Sequence, residues 1–169
     1  MKFCGIDLAI AGKTGICILD NKAKQAKLIS GKFSLEEITE IVNGSGAKVV
    51  AIDAPLSMPP KGPYRECDRK VRKAGILIFS FHLPSLVKLA KAGIKLAAML
   101  RKNKIKVIET YPYAVLKLNK SIARKITKQI ARKKFKNKDE RDAYVCALVA
   151  KNFFLGKARC FSGEGKIWY

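Results

Sequence analysis

At 169 residues the chain is long enough for one domain with a buried core, and with 49% apolar residues it is globular rather than disordered. Against 13 Asp and Glu stand 35 Lys and Arg, a net charge of +22 that is too lopsided for balanced surface ion-pair networks; a Lys-rich soluble surface is the lesser reading, a footprint for nucleic acid the preferred one. No apolar run is long enough to span a membrane, an acid at position 7 breaks the order of a signal peptide, and the basic residues are spread rather than gathered on one membrane-surface helix.

Residues 2–9 read as a strand, 14–19 as a second that turns at Asp20-Asn21, and 27–33 as a third, together an antiparallel meander. Ser34 with Glu37 three residues on forms a capping box for a helix to about Val42, which Asn43-Gly44-Ser45-Gly46 ends. Residues 48–54 are nearly all apolar, as in a central strand covered on both faces. Four prolines open the irregular stretch 55–83, within which a short helix spans 66–73. A helix from Pro84 to Arg101 has apolar positions at 86, 89, 90, 94, 97 and 100. Ile105 to Glu109 is a fifth strand, and 121–134 a basic helix with Ile122, Ile126 and Ile130 in one stripe. Asn137 caps a last helix to about Leu155, stopped by Gly156, and Ile167-Trp168-Tyr169 is a closing strand or a packed tail. This is the element order of the ribonuclease H fold. The expected architecture is therefore a single α/β domain over 1–169: a mixed five-stranded sheet with helices on both faces and a Pro-rich, helical insertion at about 55–104.

Two acids sit inside apolar strands, in Phe3-Cys4-Gly5-Ile6-Asp7-Leu8-Ala9 and Val49-Val50-Ala51-Ile52-Asp53-Ala54-Pro55, and a third ends Ile105-Lys106-Val107-Ile108-Glu109. An ionised carboxylate in apolar surroundings is costly unless it is paired or metal-bound. Asp7 and Asp53 lie near the carboxyl ends of their strands, where open α/β sheets place ligands. Either acid alone is as well explained by capping a turn. Asp139 and Asp142 share one face of the last helix, which continues through Cys146, Val149 and Phe153, so Asp142 points toward the core side. First-turn acids also favour the helix dipole, and Glu140 completes a capping box on Asn137; that explanation suits Asp139 and Glu140 better than Asp142. The set Asp7, Asp53, Glu109, Asp139 and Asp142 is oxygen-rich, as Mg²⁺ or Mn²⁺ prefers, and two such ions serve phosphodiester hydrolysis.

In Tyr64-Arg65-Glu66-Cys67-Asp68, Arg65 is placed to grip a phosphate and Asp68 to be an outer metal ligand; an Asp68–Arg72 helix pair accounts for Asp68 equally well. Gly12-Lys13-Thr14 lacks the first glycine and the following helix of a phosphate loop, which leaves Lys13 as one of the lysines around the site that hold a nucleic-acid backbone. The sole histidine, His82, excludes a multi-histidine metal site and reads as packed. Tyr111 and Tyr113 suit core packing at least as well as base stacking. The five cysteines are odd in number and lack zinc-like spacing, which points to reduced thiols in a cytoplasmic protein.

Gly5-Ile6-Asp7-Leu8-Ala9, Ala51-Ile52-Asp53-Ala54-Pro55-Leu56-Ser57, Arg65-Glu66-Cys67-Asp68, Ile108-Glu109-Thr110-Tyr111-Pro112 and Asp139-Glu140-Arg141-Asp142-Ala143 occur in the order of an uncharacterised domain-of-unknown-function family, labelled predicted nucleases of ribonuclease H fold. The resemblance spans nearly the whole chain, including Gly165-Lys166-Ile167-Trp168-Tyr169 at its end. Asp-x-x-Asp-Ala at the start of the last helix is also similar to the pattern of Holliday-junction resolvases. The resemblance implies the fold and, as an expectation, nuclease activity, with Asp7, Asp53 and Asp142 as metal acids and Glu109 or Asp139 as a fourth. The expected function is Mg²⁺- or Mn²⁺-dependent hydrolysis of DNA or RNA phosphodiester bonds. The runner-up is a non-catalytic nucleic-acid-binding module of the same fold. An ATP-using relative ranks last, since those proteins close two such domains around the nucleotide.

Overall fold

The apolar runs around positions 3–8 and 47–53 form the centre of a seven-stranded sheet in the computed structural model, which describes residues 1–21, 26–132 and 134–169. β1 (Lys2–Asp7), β2 (Thr14–Asp20) and β3 (Ala26–Gly31) make the antiparallel meander. α1 (Leu35–Ser45) leads into β4 (Ala47–Asp53), which pairs parallel to β1. Between β4 and β5 (Lys106–Thr110) lie α2 (Glu66–Lys73) and α3 (Pro84–Lys102). α4 (Pro112–Leu118), α5 (Lys120–Ala131) and α6 (Lys138–Phe154) follow, then β6 (Cys160–Ser162) and β7 (Lys166–Trp168). The sheet order is β3-β2-β1-β4-β5-β7-β6, with β7 parallel to β5 and β6 antiparallel to β7.

The sheet thus has seven strands where five were expected. β6 and β7 are three residues each, too short to show a period in sequence; they exist because the end of β5 offers a free edge, where Glu109 pairs with Ile167 and Thr110 with Trp168. The closing strand, rather than a packed tail, is the outcome for Ile167-Trp168. α4 was also unforeseen, a single short helix that Pro112 begins at its first position. The basic helix is α5, shorter than the expected 121–134. Of its stripe Ile122 and Ile126 are buried while Ile130 is exposed; position 133 lies outside the described residues.

Local chemistry accounts for the helix starts. Ser34 Oγ accepts from the Glu37 N–H at 3.1 Å and Glu37 Oε2 accepts from the Ser34 N–H at 2.7 Å, the expected capping box. At α6, Asn137 Oδ1 accepts from the Glu140 N–H at 2.9 Å, but Glu140 reaches back to the N–H of Lys136 rather than of Asn137. Each sheet face then carries its own core. α6 lies across one face on Phe3, Cys17, Leu19, Val49 and Ala51. α1 and α3 cover the other, on Cys4, Ile6, Val50 and Ile52. Alternation along β4 therefore buries both faces, as its unbroken apolar run requires. The five cysteines are free thiols, four of them buried. Among the described residues no helix is long and apolar enough to cross a membrane.

Candidate active site

β1 and β4 run parallel, and their last residues, Asp7 and Asp53, are direct partners in the register. Side chains alternate along a strand, so both acids share the face of Gly5 and Ala51, the face that α6 covers. α6 reaches them because two glycines let it come close. A Cβ on Gly5 would lie 2.1 Å from the Ala143 carbonyl oxygen, and one on Gly15 would lie 2.2 Å from that of Asp139. Gly15 is the register partner of Asp7. The first turns of α6 are thereby pressed onto the end of the β1–β2 hairpin. Asp142 is buried there and accepts a 2.8 Å hydrogen bond from Arg141 Nε. Asp7, Asp53 and Asp142, with Lys138 and Arg141, line one cavity of about 510 Å³. Asp139 is half-buried and does not line the cavity, though its charge acts on Asp7.

The charges in this cleft do not balance. Burial first, then the carboxylates of Asp142 and Asp139, pushes Asp7 up to about 7, against the opposing pull of Lys138 and Arg141. Burial, then Asp7, Asp142 and Glu109, holds Asp53 well above the ordinary range. Among the described residues neither Asp7 nor Asp53 has an ion-pair partner, and no three His, Cys, Asp or Glu side chains are gathered closely enough to hold a metal ion. The three aspartates share a cavity and a field but do not form the tight cluster expected of a two-ion site. Their donor chemistry nonetheless fits a hard divalent cation: carboxylate oxygens only, partly desolvated, with an excess of negative charge for a cation to neutralise.

Glu109, Arg65 and Asp68 line the same cavity, but their carboxylates and guanidinium are engaged with one another. The register partner of Glu109 is Ile52, so it lies on the sheet face opposite Asp53. There Arg65 Nη1 donates to its Oε2 at 2.8 Å, Arg65 Nη2 to its Oε1 at 2.6 Å, and the Leu56 N–H to its Oε2 at 2.8 Å. Arg65 is also not placed to grip a phosphate. It is buried, and its remaining N–H groups bond Asp68 and the Ser57 hydroxyl, so all five guanidinium donors are taken. Asp68 spends both oxygens on Arg65 rather than on a metal or on Arg72, which stacks over Tyr64 instead. The triad pins α2 to the end of β5. Lys13 lines a different cavity, with Asn137 and Glu140. His82 is exposed, not packed.

Sequence reasoning missed Gly5 and Gly15, whose role depends on what packs above them. It also missed Lys138 and Arg141 as cleft residues, although their place in the first turn with Asp142 was a usable signal. The rest of the cleft lining is largely apolar and includes Leu77, Phe79 and Tyr113.

A family model described as "Protein of unknown function (DUF429)" matches residues 5–125, which contain Asp7, Asp53 and Glu109 but not α6. Among curated proteins none matches. Among solved structures, T. thermophilus RuvC in complex with Holliday junction substrate superimposes with a TM-score of 0.59 at 14% identity, covering 93% of this chain and 98% of that one. The likeness establishes a shared ribonuclease H-like fold.

Proposed function

This chain belongs to the family described as proteins of unknown function (DUF429), and we propose that it is a Mg²⁺- or Mn²⁺-dependent nuclease that hydrolyses phosphodiester bonds at the cleft between the ends of β1 and β4 and the first turns of α6. One observation carries this reading. Three aspartates from distant parts of the chain share a cleft without enough positive charge to balance them, in a protein whose net charge is +22. The RuvC structure, solved on a Holliday junction, supports nucleic acid as the partner of this fold.

In this reading Asp7 and Asp53 would hold the cation, and Asp142, which accepts a hydrogen bond from Arg141, would complete its ligands. Such a cation, when bound, would supply Lewis-acid chemistry for activating water and stabilising the leaving oxygen. Lys138 and Arg141 hold the phosphate at the cleft, and the basic residues of α5 extend the backbone contact. Glu109, Arg65 and Asp68 serve as a brace rather than as ligands. The test is cleavage of single-stranded, duplex, hybrid and branched substrates with Mg²⁺ or Mn²⁺, wild type beside Asp7→Asn. Metal-dependent cleavage that the variant lacks is expected; equal cleavage by both would place the chemistry elsewhere.

The rival reading, a binding module without catalysis, is favoured by the absence, among the described residues, of three acids gathered at ligand distance. Binding without metal-dependent cleavage on any substrate would decide for it. Five free thiols suit a reducing compartment such as the cytoplasm.

A further inference from the structure

The segment from Ile76 to Phe81 joins α2 to α3 without forming a helix or strand, yet it is held in place. Its ends face inward and its middle outward. Ile76 and Phe81 are buried, while Leu77 and Phe79 are 68% and 56% exposed. The Phe81 N–H donates to the Pro63 carbonyl at 2.9 Å, and the Tyr111 hydroxyl donates to the Leu77 carbonyl at 3.1 Å. The Arg65 guanidinium, fixed by the buried triad, lies 5.6 Å from the Phe81 ring centre. Two large apolar side chains are thus presented to solvent by an anchored backbone. Tyr113, 47% exposed on α4, adds a third and lies 6.0 Å from Tyr111, ring centre to ring centre. All three line the cavity that holds Asp7, Asp53 and Asp142.

We propose that Leu77, Phe79 and Tyr113 form a platform for an unpaired nucleobase, so that the substrate strand enters this cleft with its bases unstacked from a duplex. The inference rests on the nuclease reading and names its substrate class: single strands, or duplexes opened at a branch or end. Charge selects this occupant. Lys117 Nζ stands 5.7 Å from the Tyr113 ring centre, and Lys138 and Arg141 line the cavity alongside its aspartates, so cations stand beside the apolar surface. A nucleotide brings a flat π-face for the rings and a phosphate for the cations. A second copy of this chain would bring another +22 against the same cations. An apolar protein surface would desolvate those cations and bring them no negative charge in return. A base kept in a continuous duplex would offer its edge, not its face, to the rings.

Fluorescence anisotropy in EDTA, which prevents cleavage, tests this with a short single strand of mixed sequence, the same strand carrying central abasic sites, and the blunt duplex. Wild type should bind the intact strand more tightly than the abasic one. Phe79→Ala and Tyr113→Ala should each weaken the intact strand by about 5- to 150-fold, the range of one lost base–aromatic stack, and bind the abasic strand as wild type does. The slope of log affinity against log salt should not change, because phosphate contacts are untouched. Phe79→Trp, which keeps a ring, should retain the preference, and melting curves check that each variant is folded. Equal affinity of wild type for intact and abasic strands, or equal losses on both in the variants, overturns the platform while leaving the nuclease reading standing. No binding to any strand at low salt overturns both. A wild-type dimer that Phe79→Ala converts to monomer in sedimentation would assign the face to self-association and overturn the proposal.

Discussion

Asp7→Asn should make the metal-free protein more stable, and only at the upper end of the pH range. Asp7 is pushed up to about 7 from the usual 3.8, so the folded state keeps a proton that the unfolded chain releases. The sign follows directly. The stability due to this group is fully present below about pH 4 and is lost as pH rises through 7. Full conversion of that difference gives about 4 kcal/mol at pH 8. Asp7 is only half-buried, and solvent screening reduces this to about 1–2 kcal/mol, or about 2–8 °C in Tm for a chain of this size. Asp53 and Glu109 are displaced in the same direction and add to the trend. The assay is urea denaturation in EDTA at pH 5 and pH 8. Wild type should lose stability between the two, and Asp7→Asn should lose less and exceed wild type at pH 8. Adding Mn²⁺ at about 100 times its Kd should return about 2.7 kcal/mol to wild type and little to the variant. A variant less stable than wild type at pH 8 in EDTA, or an equal response of both to Mn²⁺, would refute the idea that uncompensated carboxylate charge defines this cleft.

The glycines should be the least tolerant positions near the site. Gly5→Ala meets helix backbone at 2.1 Å and should cost more than about 3 kcal/mol, read by urea denaturation, while Gly15→Ala should displace the first turn of α6 and weaken the Mn²⁺-induced shift in Tm beyond its effect on stability. Arg65→Ala leaves Glu109 and Asp68 buried without their partner and should cost about 3–5 kcal/mol; a loss under about 1 kcal/mol would show that the triad is solvated. Nucleic-acid affinity should fall linearly on a log–log plot with salt, and Asp7→Asn should bind more tightly than wild type in EDTA because one repulsive charge is gone; a flat salt profile in filter binding would contradict a phosphate-contacting surface.

The sequence carried the strand-borne acids plainly. An aspartate in an apolar run of six or seven residues is visible without a structure, and the amphipathic stripe of α6 pointed Asp142 inward because helical periodicity is local. The capping box at Ser34 and the two-faced burial of β4 were legible for the same reason: each depends on neighbours within a few residues. Register is not local. Glu109 looked equivalent to Asp53 until the pairing of Ile52 with Glu109 sent it to the other face, where Arg65 claims it. β6 and β7 carry no period of their own and form only because the edge of β5 is open to them. Gly5 and Gly15 look like ordinary strand glycines; their meaning comes from a helix about 130 residues later in the chain, at 2.1 and 2.2 Å from a side chain they lack. The segment with Leu77 and Phe79 reads only as part of the irregular stretch 55–83, and its outward residues became exposed because Ile76 and Phe81 were taken by the core and the backbone was tied to Pro63 and Tyr111. Hydrophobic pattern reports what each stretch can bury. Which partner it is buried against, and so which side chains are left to do chemistry, is set by contacts between residues far apart in the chain.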